Sequence, residues 1–135
     1  MSAQGKDEGA ALVLVVDDFQ DNREMFAEIL SLSGFRVREA ENGREALDRA
    51  FSEVPDVVLM DLSLPELDGW EATRRLKRDP RTAHVPVVAL TGHALAECSR
   101  DAREAGCDAF LTKPCLPEVI VDEVRRVLAC SKRSA

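Results

Sequence analysis

Five side chains suited to metal and phosphate chemistry follow directly on apolar runs of this chain. Asp17 and Asp18 come after A-L-V-L-V-V at 11–16, and Asp61 comes after D-V-V-L-M at 56–60. Thr91 follows V-P-V-V-A-L at 85–90, and Lys113 follows D-A-F-L-T at 108–112. If those runs are neighbouring parallel strands, three carboxylates, a hydroxyl and an ammonium share one rim. Clustered carboxylates repel one another unless cations intervene. Lys113 offsets one of the three negative charges, and a single divalent cation neutralises the rest. Hard oxygen donors favour Mg2+, with Mn2+ able to replace it, and Mg2+ keeps waters for substrate oxygens. Such a site suits a phosphoryl group, whose transfer needs mainly positioning and charge neutralisation. One of the carboxylates can be the nucleophile, giving an aspartyl phosphate. Taken singly, Asp17-Asp18 can cap a helix, Thr91 can be a capping residue and Lys113 a solvated charge. Their conjunction at successive strand ends selects the phosphoryl site.

The elements that must hold these residues alternate along the chain. Residues 1–10 are polar and aperiodic and read as a mobile tail, leaving 11–130 as one domain and 131–135, S-K-R-S-A, as a second tail. The run at 11–16 suits a strand buried on both faces. Met25, Phe26, Ile29 and Leu30 fall on one side of a helix that Ser33-Gly34 ends. F-R-V-R-E at 35–39 is a strand nearer the sheet edge, Asn42-Gly43 a turn signal, and Ala46, Leu47, Ala50 and Phe51 a helical stripe. After the strand at 56–60, Trp70, Thr73 and Leu76 share a side of a helix that Asp79-Pro80 terminates. Pro86 stands near the start of the next strand, where a missing N–H is tolerable. A polar, Ala-rich helix over 95–105 stops at Gly106, a short strand covers 108–111, and Ile120, Val124, Val127 and Leu128 stripe a last helix. This alternation predicts an α/β fold: one open, doubly wound, five-stranded parallel sheet with five helices, since the chain is too short for an eight-fold barrel.

Composition removes other classes. The chain has 135 residues, and 18 Lys and Arg against 25 Asp and Glu leave a net charge of −7. Direct binding of nucleic acid through a wholly basic surface is excluded, because phosphate affinity comes from Lys and Arg. No apolar run reaches the roughly 20 residues of a membrane span, and the start lacks the apolar core of an export signal. Cys98, Cys107, Cys115 and Cys130 form no C-x-x-C pair, and the histidines are His84 and His93, so neither a zinc site nor a redox pair is expected. Reduced thiols packed as small hydrophobes, in a cytoplasmic protein, fit that pattern.

The chain resembles the receiver domain of two-component response regulators over about residues 11–130. The resemblance rests on V-V-D-D at 15–18, M-D-L-S-L-P-E-L-D-G at 60–69, A-L-T-G at 89–92 and F-L-T-K-P at 110–114. It implies the flavodoxin-like strand order 2-1-3-4-5. It implies that Asp61 accepts a phosphoryl group from a phosphohistidine on a histidine kinase or a phosphotransfer protein. Asp18 would ligate Mg2+, with Asp17 acting directly or through water, and Ser63 would offer its backbone carbonyl. Thr91 would be the switch hydroxyl, Lys113 the phosphate-pairing ammonium, followed by Pro114 in a bond typically cis, and Phe110 the aromatic switch residue. Ser63 and His93 would sit near the path of attacking water and tune the lifetime of the phosphoryl group. Gly92 through Ala105, which carries Ala94, Ala96, Ala102 and Ala105 but only Leu95 as a large aliphatic, would be weakly anchored and free to respond, and Trp70 would sit at the mouth of the site. His84 gets no role.

The function expected is a phosphorylation-controlled switch that catalyses only its own phosphorylation and dephosphorylation, acting on an unknown downstream protein or relaying the phosphoryl group. No output module is expected after the last helix, so contact with another protein would carry the signal. Two alternatives stand beside it. One is a small Mg2+-dependent phosphatase with an Asp nucleophile, although haloacid-dehalogenase-type enzymes want D-x-D-x-T and Asp61 is followed by Leu62-Ser63-Leu64. The other is a phosphorylation-independent binding module, which would not need the full set of acidic, hydroxyl and ammonium groups.

Overall fold

The computed structural model describes residues 10–61, 69–91, 106–112 and 116–134. Five apolar or alternating segments become strands: β1 (Leu12–Val16), β2 (Arg36–Ala40), β3 (Val57–Asp61), β4 (Val87–Thr91) and β5 (Ala109–Thr112). Four helices are described: α1 (Gln20–Leu32), α2 (Gly43–Ser52), α3 (Gly69–Arg78) and α4 (Pro117–Ser134). The helix expected over 95–105 lies outside the described residues. The sheet runs β2-β1-β3-β4-β5, and each pairing is parallel. β1 and β3 are buried along their whole length, as unbroken β-branched and aliphatic strands must be when helices cover both faces.

Side chains alternate between two cores. Leu14, Val16, Val58, Met60, Val87 and Ala89 pack with Ala46, Leu47 and Ala50 of α2 and Ala72 and Leu76 of α3. Val13, Val15, Val57, Leu59, Val88 and Leu90 pack on Phe26 and Leu30 of α1 and on Ile120, Val121, Val124 and Val127 of α4. The period of two in the strands thus divides one sheet between two helix layers.

Several local expectations are corrected. Met25, placed on the apolar side of α1, is 41% exposed, because Phe26, Ala27 and Leu30 already fill the surface facing the sheet. Asn42-Gly43 starts α2 instead of making an isolated turn. The Asn42 Oδ1 accepts from Glu45 N at 2.8 Å, and the Glu45 carboxylate accepts from Glu41 N at 2.7 Å, so both early donors of the helix entry find oxygens. The last helix runs on through Ser134, where a tail was expected from 131, since no Gly or Pro interrupts 118–134. Gly34, by contrast, ends α1 as expected, at φ +100°, a conformation that residues with a Cβ adopt at a cost.

Two titrating groups at the margins of the fold lead to predictions. After α3, Arg81 grips Asp79 with its backbone N–H at 2.9 Å and its guanidinium at 2.8 and 3.0 Å. The Arg81 side chain holds the Asp79 carboxyl down to about 2. A carboxyl held below its unfolded value stabilises the fold above that unfolded value, and the contribution is lost as pH falls through the folded one. In an NMR titration Asp79 is expected to stay charged until about pH 2; a midpoint near 3.8 would show that the Arg81 grip is absent in solution.

Cys107 is packed against the α2/α3 core, and burial pushes its thiol up to about 11, whereas Cys130 is exposed rather than a partly buried hydrophobe. Because the thiolate is the reactive form, an alkylating reagent at about pH 8 is expected to label Cys130 long before Cys107 in the folded protein. Equal rates by peptide mass spectrometry would contradict the packing of Cys107. Cys98 and Cys115 lie outside the described residues.

Candidate functional site

The parallel register brings the chemistry to one rim. Val16 pairs with Met60, so Asp17 and Asp61 come level one step further along their strands. Asp61 pairs with Leu90, and Thr91 pairs with Thr112, the residue before Lys113. A parallel sheet points every strand the same way, so residues that end adjacent strands gather without help from a loop.

Carboxylate oxygens of Asp17, Asp18 and Asp61 lie within 4.8 Å of one another. Asp17 is 0% exposed and Asp61 3%, while Asp18 faces solvent. Burying two acidic groups at this spacing is costly without partners or a cation. Asp17 Oδ1 accepts from Phe19 N at 2.9 Å, an Asx-type turn that carries the chain from β1 into α1. The peptide of Asp17 is held as well: its N–H donates to Ala40 O at 3.1 Å, and its carbonyl accepts from Arg23 Nη1 at 2.9 Å.

The three acidic groups fit a divalent cation. Their donors are all hard carboxylate oxygens gathered within 4.8 Å of one another, the donor type that a small divalent cation takes. When bound, Mg2+ neutralises charge on the carboxylates and on an incoming phosphoryl group.

The described structure thus brings together Asp17, Asp18 and Asp61 and sets the backbone of Thr91 beside them. The side chains of Thr91, Phe110 and Trp70, and the whole of Ser63, His93, Lys113 and Pro114, lie outside what is described. Phe110 does stand on β5 opposite Ala89. Sequence reasoning missed Arg23 and Glu39, which are joined at 3.1 Å behind Asp17. Sixteen residues separate them, and no helical or strand period links them.

Comparison with known proteins resolves the family. Residues 13–125 match the response regulator receiver domain. This chain is a receiver domain of the response regulator family. The polar-differentiation response regulator DivK of Brucella anthropi is 35% identical over 116 residues, covering 86% of this chain and 94% of that protein. Among solved structures, the Vibrio cholerae chemotaxis protein CheY4 is 30% identical with a TM-score of 0.85, covering 88% of this chain and 99% of that one. The receiver domain of a signal transduction histidine kinase from Syntrophus aciditrophicus is 34% identical with a TM-score of 0.85, covering 92% and 94% of the two chains. Receiver domains are signalling modules that accept a phosphoryl group and change conformation, and they work with histidine kinases and downstream effectors. The phosphatase alternative is not favoured by this membership. Receivers typically bind Mg2+ in an acidic pocket, and Asp17, Asp18 and Asp61 form an acidic cluster here. Among the described residues no helix is long and apolar enough to cross a membrane.

Proposed function

We propose that Asp61 is the phosphoacceptor of this receiver and that Asp17 and Asp18, with the backbone carbonyl of Ser63, hold Mg2+ beside it. The observation that carries this reading is the gathering of the three carboxylates within 4.8 Å at the carboxyl ends of β1 and β3. An Asp61 oxygen attacks the phosphorus of a phosphohistidine on a histidine kinase or phosphotransfer protein. The P–N bond breaks, a P–O bond forms, and the imidazole leaves as a neutral ring after taking up a proton. Later, water attacks the same phosphorus and restores the carboxylate, so the chain turns over only its own phosphoryl group.

Thr91 donates a hydrogen bond to the phosphoryl oxygens and Lys113 a charge-assisted one. Such bonds contribute about 1–3 kcal/mol, comparable with the gap between two conformers of a switch. Inward movement of Thr91 makes room that Phe110 fills, and the segment over 95–105, a fifth helix in this reading, responds. Ser63 and His93 set how easily water reaches the phosphorus. The domain begins at about residue 11 and covers the expected 11–130, with its last helix running on to Ser134, and its signal passes by protein contact or by relay of the phosphoryl group.

The test is incubation with phosphoramidate, with Mg2+ or with a chelator, followed by intact-mass spectrometry. A single phosphoryl adduct is expected with Mg2+ and little without it. An unlabelled chain under both conditions would overturn the reading.

A further inference from the structure

We propose that Arg23 is a positioning residue for the acidic site: it holds the Asp17 peptide in place and is itself held by Glu39. The inference rests on the reading of Asp17, Asp18 and Asp61 as the metal and phosphoryl site. Between the end of β1 at Val16 and the start of α1 at Gln20, residues 17–19 belong to no regular element. Their geometry therefore depends on specific bonds. Asp17 N–H donates to Ala40 O at 3.1 Å, its carbonyl accepts from Arg23 Nη1 at 2.9 Å, and Arg23 Nε donates to Glu39 Oε1 at 3.1 Å. Asp17 is thus tied twice to the same end of β2, once directly at Ala40 and once through Arg23 to its neighbour Glu39.

The Arg23 side chain is only 14% exposed, so this guanidinium is far more shielded than an ordinary surface ion pair. Its planar fork lets Nη1 and Nε serve two acceptors at once, which the single ammonium of Lys cannot match in direction. The carbonyl that Arg23 grips belongs to the peptide linking Asp17 to Asp18. Rotation of that peptide would swing both carboxylates, so the grip fixes the spacing of two of the three oxygens gathered at the site.

Charge and positioning make opposite predictions, which renders the idea testable. If Arg23 mattered only as a nearby cation, removing it would tighten Mg2+ binding, because a repelling charge is lost. If it positions the acidic pair, removing it loosens the site and weakens binding. Partners that orient metal ligands from behind commonly change metal affinity by about 10-fold or more when altered.

The experiment is calorimetric Mg2+ titration of the wild type, Arg23→Gln, Arg23→Lys and Glu39→Gln, with circular dichroism to verify folding. The dissociation constant is expected to rise about 10-fold for Arg23→Gln and nearly as much for Arg23→Lys despite its retained charge. Glu39→Gln is expected to shift the same way by a smaller factor. The Mg2+ midpoint for phosphoramidate labelling should move in parallel while the rate at saturating Mg2+ holds, which a general loss of stability would not produce. Unchanged affinity in Arg23→Lys, or tighter binding in Arg23→Gln, would overturn the proposal. Should the Arg23 variants fail to fold, unchanged affinity in Glu39→Gln overturns it as well. A wild type that binds no Mg2+ would sink the site reading itself, whereas a binding wild type with unaffected variants sinks only the role of Arg23.

Discussion

Asp61→Asn is expected to abolish phosphoramidate labelling, while Asp17→Asn and Asp18→Asn are expected to slow it without abolishing it. The amide keeps the shape of the carboxylate but offers neither its charge nor a nucleophilic oxygen, so no P–O bond forms. At positions 17 and 18 the nucleophile survives and only cation affinity suffers, so raised Mg2+ should recover part of the rate. The contrast assigns the acceptor among three carboxylates that lie within 4.8 Å of one another and that proximity alone leaves equivalent. A time course by intact mass, repeated at several Mg2+ concentrations, measures it. Retention of the adduct in Asp61→Asn would move the acceptor to another residue. Magnesium should also raise the melting temperature of the wild type, since a ligand at 100 times its dissociation constant stabilises by about 2.7 kcal/mol. That gain should shrink in all three variants.

The largest expected effect on the fold itself comes from Leu59→Ala. Leu59 is fully buried in the middle of β3, paired with Val15 on one side and Val88 on the other, and it packs in the layer formed by α1 and α4. Truncation removes its apolar contacts and leaves a cavity, because strands held on both sides cannot collapse inward. The cost expected is about 2–5 kcal/mol, a large part of the roughly 5–15 kcal/mol that keeps a typical domain folded. The melting temperature should fall by on the order of 10 °C. Denaturant unfolding monitored by circular dichroism gives the number directly. A loss below about 1 kcal/mol would contradict the tight packing of Leu59 in the α1/α4 layer. Since Asp61 stands two residues further along the same strand, a weakened β3 should also lower labelling at temperatures near the new midpoint.

Much of this molecule was legible in its residues because apolar runs bounded by acidic, Gly and Pro residues have few structural solutions. A-L-V-L-V-V and D-V-V-L-M suit buried strands, and their alternation with helical stripes points to parallel pairing. Parallel pairing then sent Asp17, Asp18 and Asp61 to one end without any need to see the fold. Where the reading failed, a local signal had two outcomes. Asn42-Gly43 is compatible with a turn or a helix cap, and the Glu45 partner three residues on decided for the cap. Met25 lies at the border of the α1 stripe, and only the volume already filled by Phe26 and Leu30 put it outside.

By itself, then, the order of residues determined the layer architecture, the rim that carries the acidic groups and the kind of chemistry they support. These follow from periodicity and from strand direction, both of which are local properties repeated along the chain. The tertiary structure alone decided that Arg23 and Glu39 stand behind Asp17. Their meeting depends on the register of β2 against β1, which sets Glu39 beside Val15, and on the angle at which α1 leaves the sheet. Register is settled by packing summed over whole strands, so no pair of residues announces it in advance.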